Sequence, residues 1–257
     1  MSDRALQDRL IRALADAPFR DSPDWRGAPL ADTERVDRFA HFLARHFYYE
    51  RIVHFFKYSR ALARVTGRSP EAVLKQGTFD ALLPAVVLGS RVTARAVADL
   101  VVAYTRAGER SIPVPYHDEL LRYEATMMVV EAGPRVWSDS GKREEGGGKG
   151  TSPEKVEGTV LLELAYDLPA VLPELLKPWT TVPQAPLRTT KLLVARSPHG
   201  RVTVARSDDA VAAVVKLADG TRTLARLAAE ARLDVAALEQ TLHGLVELGA
   251  VRFATGS

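Results

Sequence analysis

Eighteen consecutive residues near the middle of the chain, Ser138-Asp-Ser-Gly-Lys-Arg-Glu-Glu-Gly-Gly-Gly-Lys-Gly-Thr-Ser-Pro-Glu-Lys155, contain no large apolar side chain. A stretch of this kind cannot bury enough surface to offset the entropy lost on ordering it. It reads as a flexible linker or a long loop. The chain on either side must therefore build its own core. The expected layout is a helical domain over 1–137, a linker or loop over 138–156, and a strand-containing domain over 157–257. A length of 257 residues with 46% hydrophobic and 26% charged side chains supplies enough apolar material for two cores.

Composition narrows the chemistry. The chain has no cysteine, which excludes disulfides, thiolate metal sites and cysteine nucleophiles and is compatible with a reducing cytoplasm. The first residues, Met1-Ser-Asp-Arg-Ala-Leu-Gln-Asp-Arg-Leu10, lack the apolar run of a signal peptide. No window approaches the roughly 18 apolar residues of a membrane span. The expected location is cytoplasmic, with no membrane partner. A net charge of +3 is too mild to mark a nucleic-acid protein unless it is concentrated in a patch.

The first half has helical periodicity throughout. From Thr33, the residues Val36, Phe39, Ala40, Leu43 and Phe47 recur at helical spacing. The pattern continues through Ile52, Phe55, Phe56, Leu62 and Val65 to Gly67, as one long helix or two. Ser69-Pro70-Glu71 has the residues of a helix start, and Gly77 of its end. Further helices are expected from Val92 to Ala107, burying Val92, Val97 and Val101 among others, and from Tyr116 to Glu131. The half is thus a bundle of roughly four to six helices. Its aromatic run, Phe47-Tyr48-Tyr49 with Phe55-Phe56, offers a partner-docking surface in which Tyr48, Tyr49 and Phe55 are the candidates.

After the linker the period changes. Val160-Leu-Leu-Glu-Leu-Ala-Tyr166 reads as a strand, and a short helical run follows from Ala170 to Leu176. Thr190–Ala195 and Arg201–Arg206 flank a Ser197-Pro-His-Gly200 turn, a hairpin signature. Three helices follow, capped by Ser207, by Thr221 or Thr223, and by Asp234; Gly249 ends the last. Val251–Ala254 closes the chain as a strand. Strands, three helices and a strand make a winged helix-turn-helix layout. The overall class is mainly α with a small β component.

The stretch from Gly200 to Glu230, continuing into Leu238, Leu242, Leu245 and Gly249, resembles the PqqD-like family of precursor-recognition elements in the biosynthesis of ribosomally made, modified peptides. The resemblance is carried by Asp219-Gly220, Thr223, Leu224, Leu227, Leu242, Leu245 and Gly249. It implies that a leader peptide adds as a strand along Arg201, Val202, Thr203, Val204, Ala205 and Arg206. Leu238, Leu242 and Leu245 would then present a groove on the last helix. The same leucine spacing also describes an inward-packed core face. The first half, with its aromatic helix and its Arg122-Tyr-Glu124 helix, resembles partner proteins of multinuclear non-haem iron oxidative (MNIO) enzymes. The implied partners are a ribosomal precursor peptide and an MNIO-type enzyme that holds the iron, with no cofactor in this chain.

Competing chemistries find little support. His46 and His54 are eight residues apart, about 12 Å along one helix, too far to share one metal ion. No His-Glu-x-x-His spacing occurs. There is no Gly-x-Ser-x-Gly elbow and no dinucleotide fingerprint. Gly146-Gly-Gly-Lys-Gly150 lacks the strand and helix that frame a phosphate loop. The expectation is a non-catalytic subunit. The alternative is a winged-helix transcription regulator with a helical effector domain. A recognition helix needs donors for bases and phosphates. The segment Asp234–Leu248 instead has three acids and neither Lys nor Arg.

Overall fold

The computed structural model describes residues 2–27, 29–109, 111–133 and 152–254. The protein divides into two compact units, Met1–Ser138 and Asp139–Ser257. Most of the glycine-rich segment, including Gly146–Gly150, lies outside the described residues.

The first unit is helical: α1 (Asp3–Ala15), α2 (Ala17–Asp21), α3 (Pro23–Arg26), α4 (Thr33–Phe55), α5 (Lys57–Ala61), α6 (Ala63–Thr66), α7 (Gly77–Asp80), α8 (Arg91–Arg106) and α9 (His117–Glu131). Side-chain caps set several starts. Ser2, Asp32 and Ser90 each accept a hydrogen bond from the backbone N–H three residues on, at the heads of α1, α4 and α8. The long aromatic pattern resolves into α4, α5 and α6, and the last ends at Gly67 with φ +79°. A Cβ there would lie 2.6 Å from the Glu109 carbonyl oxygen, so only glycine fits.

Several sequence expectations need correction. Ser69 makes no capping bond, Pro70–Lys75 is a 3₁₀ turn, and Gly77 opens α7 instead of ending a helix. Val92, expected in the core, is 82% exposed, because α8 turns its Thr93, Ala94, Val97, Ala98 and Val101 side inward. The α1 helix was not anticipated; its apolar residues are interleaved with Arg4, Arg9 and Arg12.

The second unit comprises β1 (Ser152–Lys155), β2 (Val160–Tyr166), α10 (Leu168–Leu175), β3 (Leu187–Arg196), β4 (Val202–Ser207), α11 (Asp209–Leu217), α12 (Leu224–Ala231), α13 (Val235–Glu247) and β5 (Val251–Ala254). An antiparallel sheet runs β2-β3-β4, and β1 pairs antiparallel with β5. Ser152–Lys155 fell within the sequence-expected linker but forms a strand held by β5 on one side and by residues 218–220 on the other, where the Pro153 carbonyl accepts the Gly220 N–H at 2.9 Å. Both faces of β3 are covered, and Leu192, Leu193, Val194 and Ala195 are each at most 2% exposed. On one face, Leu193 and Ala195 join Val214, Leu227, Leu238, Leu242 and Leu245 in a single apolar core. The caps of the three helices are Asp208, Thr223 and Asp234. Ser207, the expected first cap, is one residue too early.

The molecule is therefore mainly helical with a small antiparallel component. No helix among the described residues is long and apolar enough to cross a membrane.

Candidate functional site

The site is built outward from the β3–β4 turn. Ser197 accepts the Gly200 N–H at 2.8 Å, and its own N–H donates to the Arg201 carbonyl at 2.8 Å. Gly200 takes φ +80°. A type I turn followed by a left-handed glycine is the standard three-residue hairpin connection, and it fixes the register. Arg196 then lies opposite Val202, and Ala195 opposite Thr203. Antiparallel hydrogen-bonded pairs alternate along a ladder. With Ser197 and Arg201 bonded, Thr203, Ala205 and Ser207 direct their backbone groups toward β3. The N–H and C=O groups of Val202, Val204 and Arg206 therefore face away from it.

No described strand pairs with that outer side of β4. Of the six residues expected to line the strand, Val202 to Arg206 lie in β4, and Arg201 sits in the turn before it. The strand is locked from the inner side. Thr203 Oγ1 donates to the Leu248 carbonyl at 3.1 Å, which ties β4 to the end of α13.

The three leucines expected in the groove do not line it. Leu238, Leu242 and Leu245 are 0–2% exposed and belong to the apolar core. Periodicity identifies a common face but not whether that face points in or out. The half-buried positions Ala237, Thr241, Gly244 and Leu248 form a second stripe on α13, and its last member is the one bonded to Thr203. A Cβ built on Gly244 meets nothing within 4 Å, so the helix is open there.

The α13 end closes on the hairpin through Gly249. Ala250 N–H bonds the Leu245 carbonyl at 2.8 Å and Gly249 N–H the Val246 carbonyl at 2.9 Å, a Schellman ending. Gly249 has φ +75°, and a Cβ there would stand 2.2 Å from the Arg196 carbonyl oxygen. That clash explains why a glycine follows Leu242 and Leu245 at this spacing.

Charge around the sheet is largely committed. The carboxylate of Asp167, fully buried, receives Arg188 on one oxygen and Arg206 on the other, the latter at 2.5 Å. Burial pushes the Asp167 carboxyl upward, but the two guanidinium groups outweigh it and hold it below the usual carboxylate range. Arg206 is thus anchored at the far end of β4 while its guanidinium stays half exposed. Arg222 and Arg226 both bond Glu230, at 2.8 and 2.7 Å. On α13, His243 pairs with Glu247 at 3.2 Å.

In the first unit, the expected docking residues do not form one surface. Tyr48 is fully buried, Phe55 is 9% exposed, and only Tyr49 reaches solvent, at 41%. The more exposed rings of α4 are Phe39, at 49%, and Phe42, at 61%. Their i, i+3 spacing was visible in the sequence, but the element covering the opposite face was not.

A residue with no sequence signal for its role is Glu124. It is fully buried, and its carboxylate accepts the N–H groups of Tyr58, at 2.8 Å, and Ser59, at 3.2 Å, together with the Ser59 hydroxyl. It thereby caps α5, which has no side-chain cap of its own. Burial lifts its pKa to about 8 despite these donors. Among the described residues no group of three His, Asp or Glu side chains is placed to hold a metal ion.

No protein-family model matches the chain, and a search of curated proteins finds no similar one.

Proposed function

We propose that this protein is an accessory subunit of peptide-modifying machinery. Its second unit is a winged helix that captures the leader of a ribosomal precursor peptide by strand addition on β4, and its helical unit docks onto an MNIO-type iron oxygenase. The observation that carries this reading is the outer side of β4, unpaired among the described residues, where Val202, Val204 and Arg206 offer N–H and C=O groups as a template. The β3–β4 hairpin followed by three capped helices fits the PqqD-like resemblance, with β2 joining the sheet from before α10, and so do Thr223 as a cap and Gly249 at the close approach. The peptide-facing side of α13 under this reading is the Ala237, Thr241, Gly244 and Leu248 stripe, with the buried leucines as its support.

Commitment of Arg222 and Arg226 to Glu230 leaves those two guanidinium groups less free for phosphates, which favours a peptide over a duplex. The test is affinity purification of the tagged full chain from its host, with mass spectrometry of everything retained. Co-purification of an iron oxygenase and a short precursor peptide is the expected result. In the Val204→Pro variant the peptide is lost and the enzyme stays. Recovery of DNA fragments with neither partner overturns the reading in favour of a regulator.

A further inference from the structure

The helical unit holds an apolar groove of about 760 Å³ between α1 and the first three turns of α4. Its floor is Leu10, Leu14 and Val36, at the margin of the cluster around Trp25. Its wall is Phe39, 49% exposed, and Phe42, 61% exposed. These two rings stack at 6.2 Å with planes 15° apart, and Phe42 stacks in turn on His46 at 6.4 Å.

The charges at the rim select the occupant. Arg35 and Arg38 stand on the groove beside a single acid, Asp32, and the carboxylate of Asp32 accepts the Arg35 N–H at the cap. Arg38 meets Glu34 only at 3.8 Å, with both side chains more than 70% exposed, so that pair is weak. The positive end of the α4 dipole lies at the same place. The groove runs from Asp32 to Phe42, about 15 Å at 1.5 Å per residue, or about three helical turns. An aliphatic floor between two helices suits a third helix better than it suits nucleobases.

We infer that this groove is a docking site for an acidic amphipathic helix of a partner protein, with apolar anchors on the Phe39–Phe42 wall and carboxylates over Arg35 and Arg38. The inference stands apart from strand addition at β4 and does not depend on it. The probe is a phage-displayed library of amphipathic helices with Leu, Ile, Met or Phe at i, i+3, i+4 and i+7 and Asp, Glu, Lys or Arg randomised in the flanks, selected against the full chain. Acidic flanks should be enriched at least 5-fold over basic ones. The selected peptides should bind Phe42→Ser at least 10-fold more weakly, and the double variant Arg35→Glu/Arg38→Glu should reverse the charge preference. Phe42 is mostly exposed, so circular dichroism of Phe42→Ser should match the parent, and Val204→Pro should bind the peptides normally. No enrichment, enrichment without charge preference, or binding unaffected by Phe42→Ser overturns the inference. So does dimerisation of the chain that Phe42→Ser abolishes, or tight binding of an oligouridylate at the groove.

Discussion

Glu124 places a carboxyl group in the helical core, where it meets donors from Tyr58 and Ser59. With a folded pKa of about 8 against an ordinary 4.5, the folded chain keeps a proton that the unfolded chain releases. The unfolded state therefore binds fewer protons between pH 4.5 and 8, and stability falls as pH rises through that window. Its contribution is fully present below pH 4.5, is lost progressively up to pH 8, and is level beyond. The slope approaches about 1.4 kcal/mol per pH unit. Glu124→Gln keeps an acceptor for the α5 N–H groups and removes the titration. Urea unfolding at pH 5 and pH 8 should show a smaller stability difference for Glu124→Gln than for the parent. Arg232 is a second residue-scale case, the one non-glycine at positive φ among the described residues, at 58°. It ends α12 through the Leu233 N–H to Ala228 carbonyl bond at 3.0 Å. Arg232→Gly relieves the left-handed penalty at some cost in unfolded-state entropy, and should raise stability by about 0.5–1 kcal/mol in the same assay. Neither role was legible in the sequence. Glu124 sits in an ordinary helical pattern, and Arg232 occupies a position where composition gives no hint of backbone conformation.

Among the elements, local rules carried far. The hairpin and the Asp234 cap follow from turn chemistry and capping, which left Thr221 and Thr223 both open for α12, and β2, α9, α10 and the final strand follow from the apolar pattern. Gly249 is where local and tertiary requirements coincide, since it ends α13 and also admits the Arg196 carbonyl. Gly249→Ala should cost about 2–4 kcal/mol, read from the urea midpoint, because positive φ and backbone overlap act together. What escaped the sequence was decided by neighbours distant in the chain. β1 has the composition of a linker and becomes a strand because β5 pairs with it. Ser69-Pro70-Glu71 has the residues of a helix start, yet only a 3₁₀ turn forms there. The leucines of α13 share a face as expected, and that face is buried because Leu193, Val214 and Leu227 lie against it. The candidate strand was legible as a segment, whereas its open side required the strand order. Val204→Pro separates the two sides of β4. It should leave the circular dichroism spectrum and the urea midpoint nearly unchanged, because its N–H faces outward. Thr203→Pro should destabilise the hairpin, because its N–H serves the β3 ladder.

As a whole, the chain carries two units: one has a strand, β4, whose outer side no described strand pairs with, and the other has an apolar groove beside Arg35 and Arg38. The boundary between the units falls near a segment poor in apolar residues, the end of which, Ser152–Lys155, forms β1. The assignment of docking residues was not legible at this scale. Tyr48 and Phe55 share their helix with Phe39 and Phe42, and which rings face water depends on the elements packed around α4. The central claim is strand addition at β4, and amide hydrogen exchange of the full chain with its co-purified precursor peptide tests it most directly. The amides of Val202, Val204 and Arg206 should gain at least 10-fold protection on adding the peptide, while those of Thr203 and Ala205, already in the ladder, should change little. Protection confined to other elements, or an unchanged β4, would contradict it.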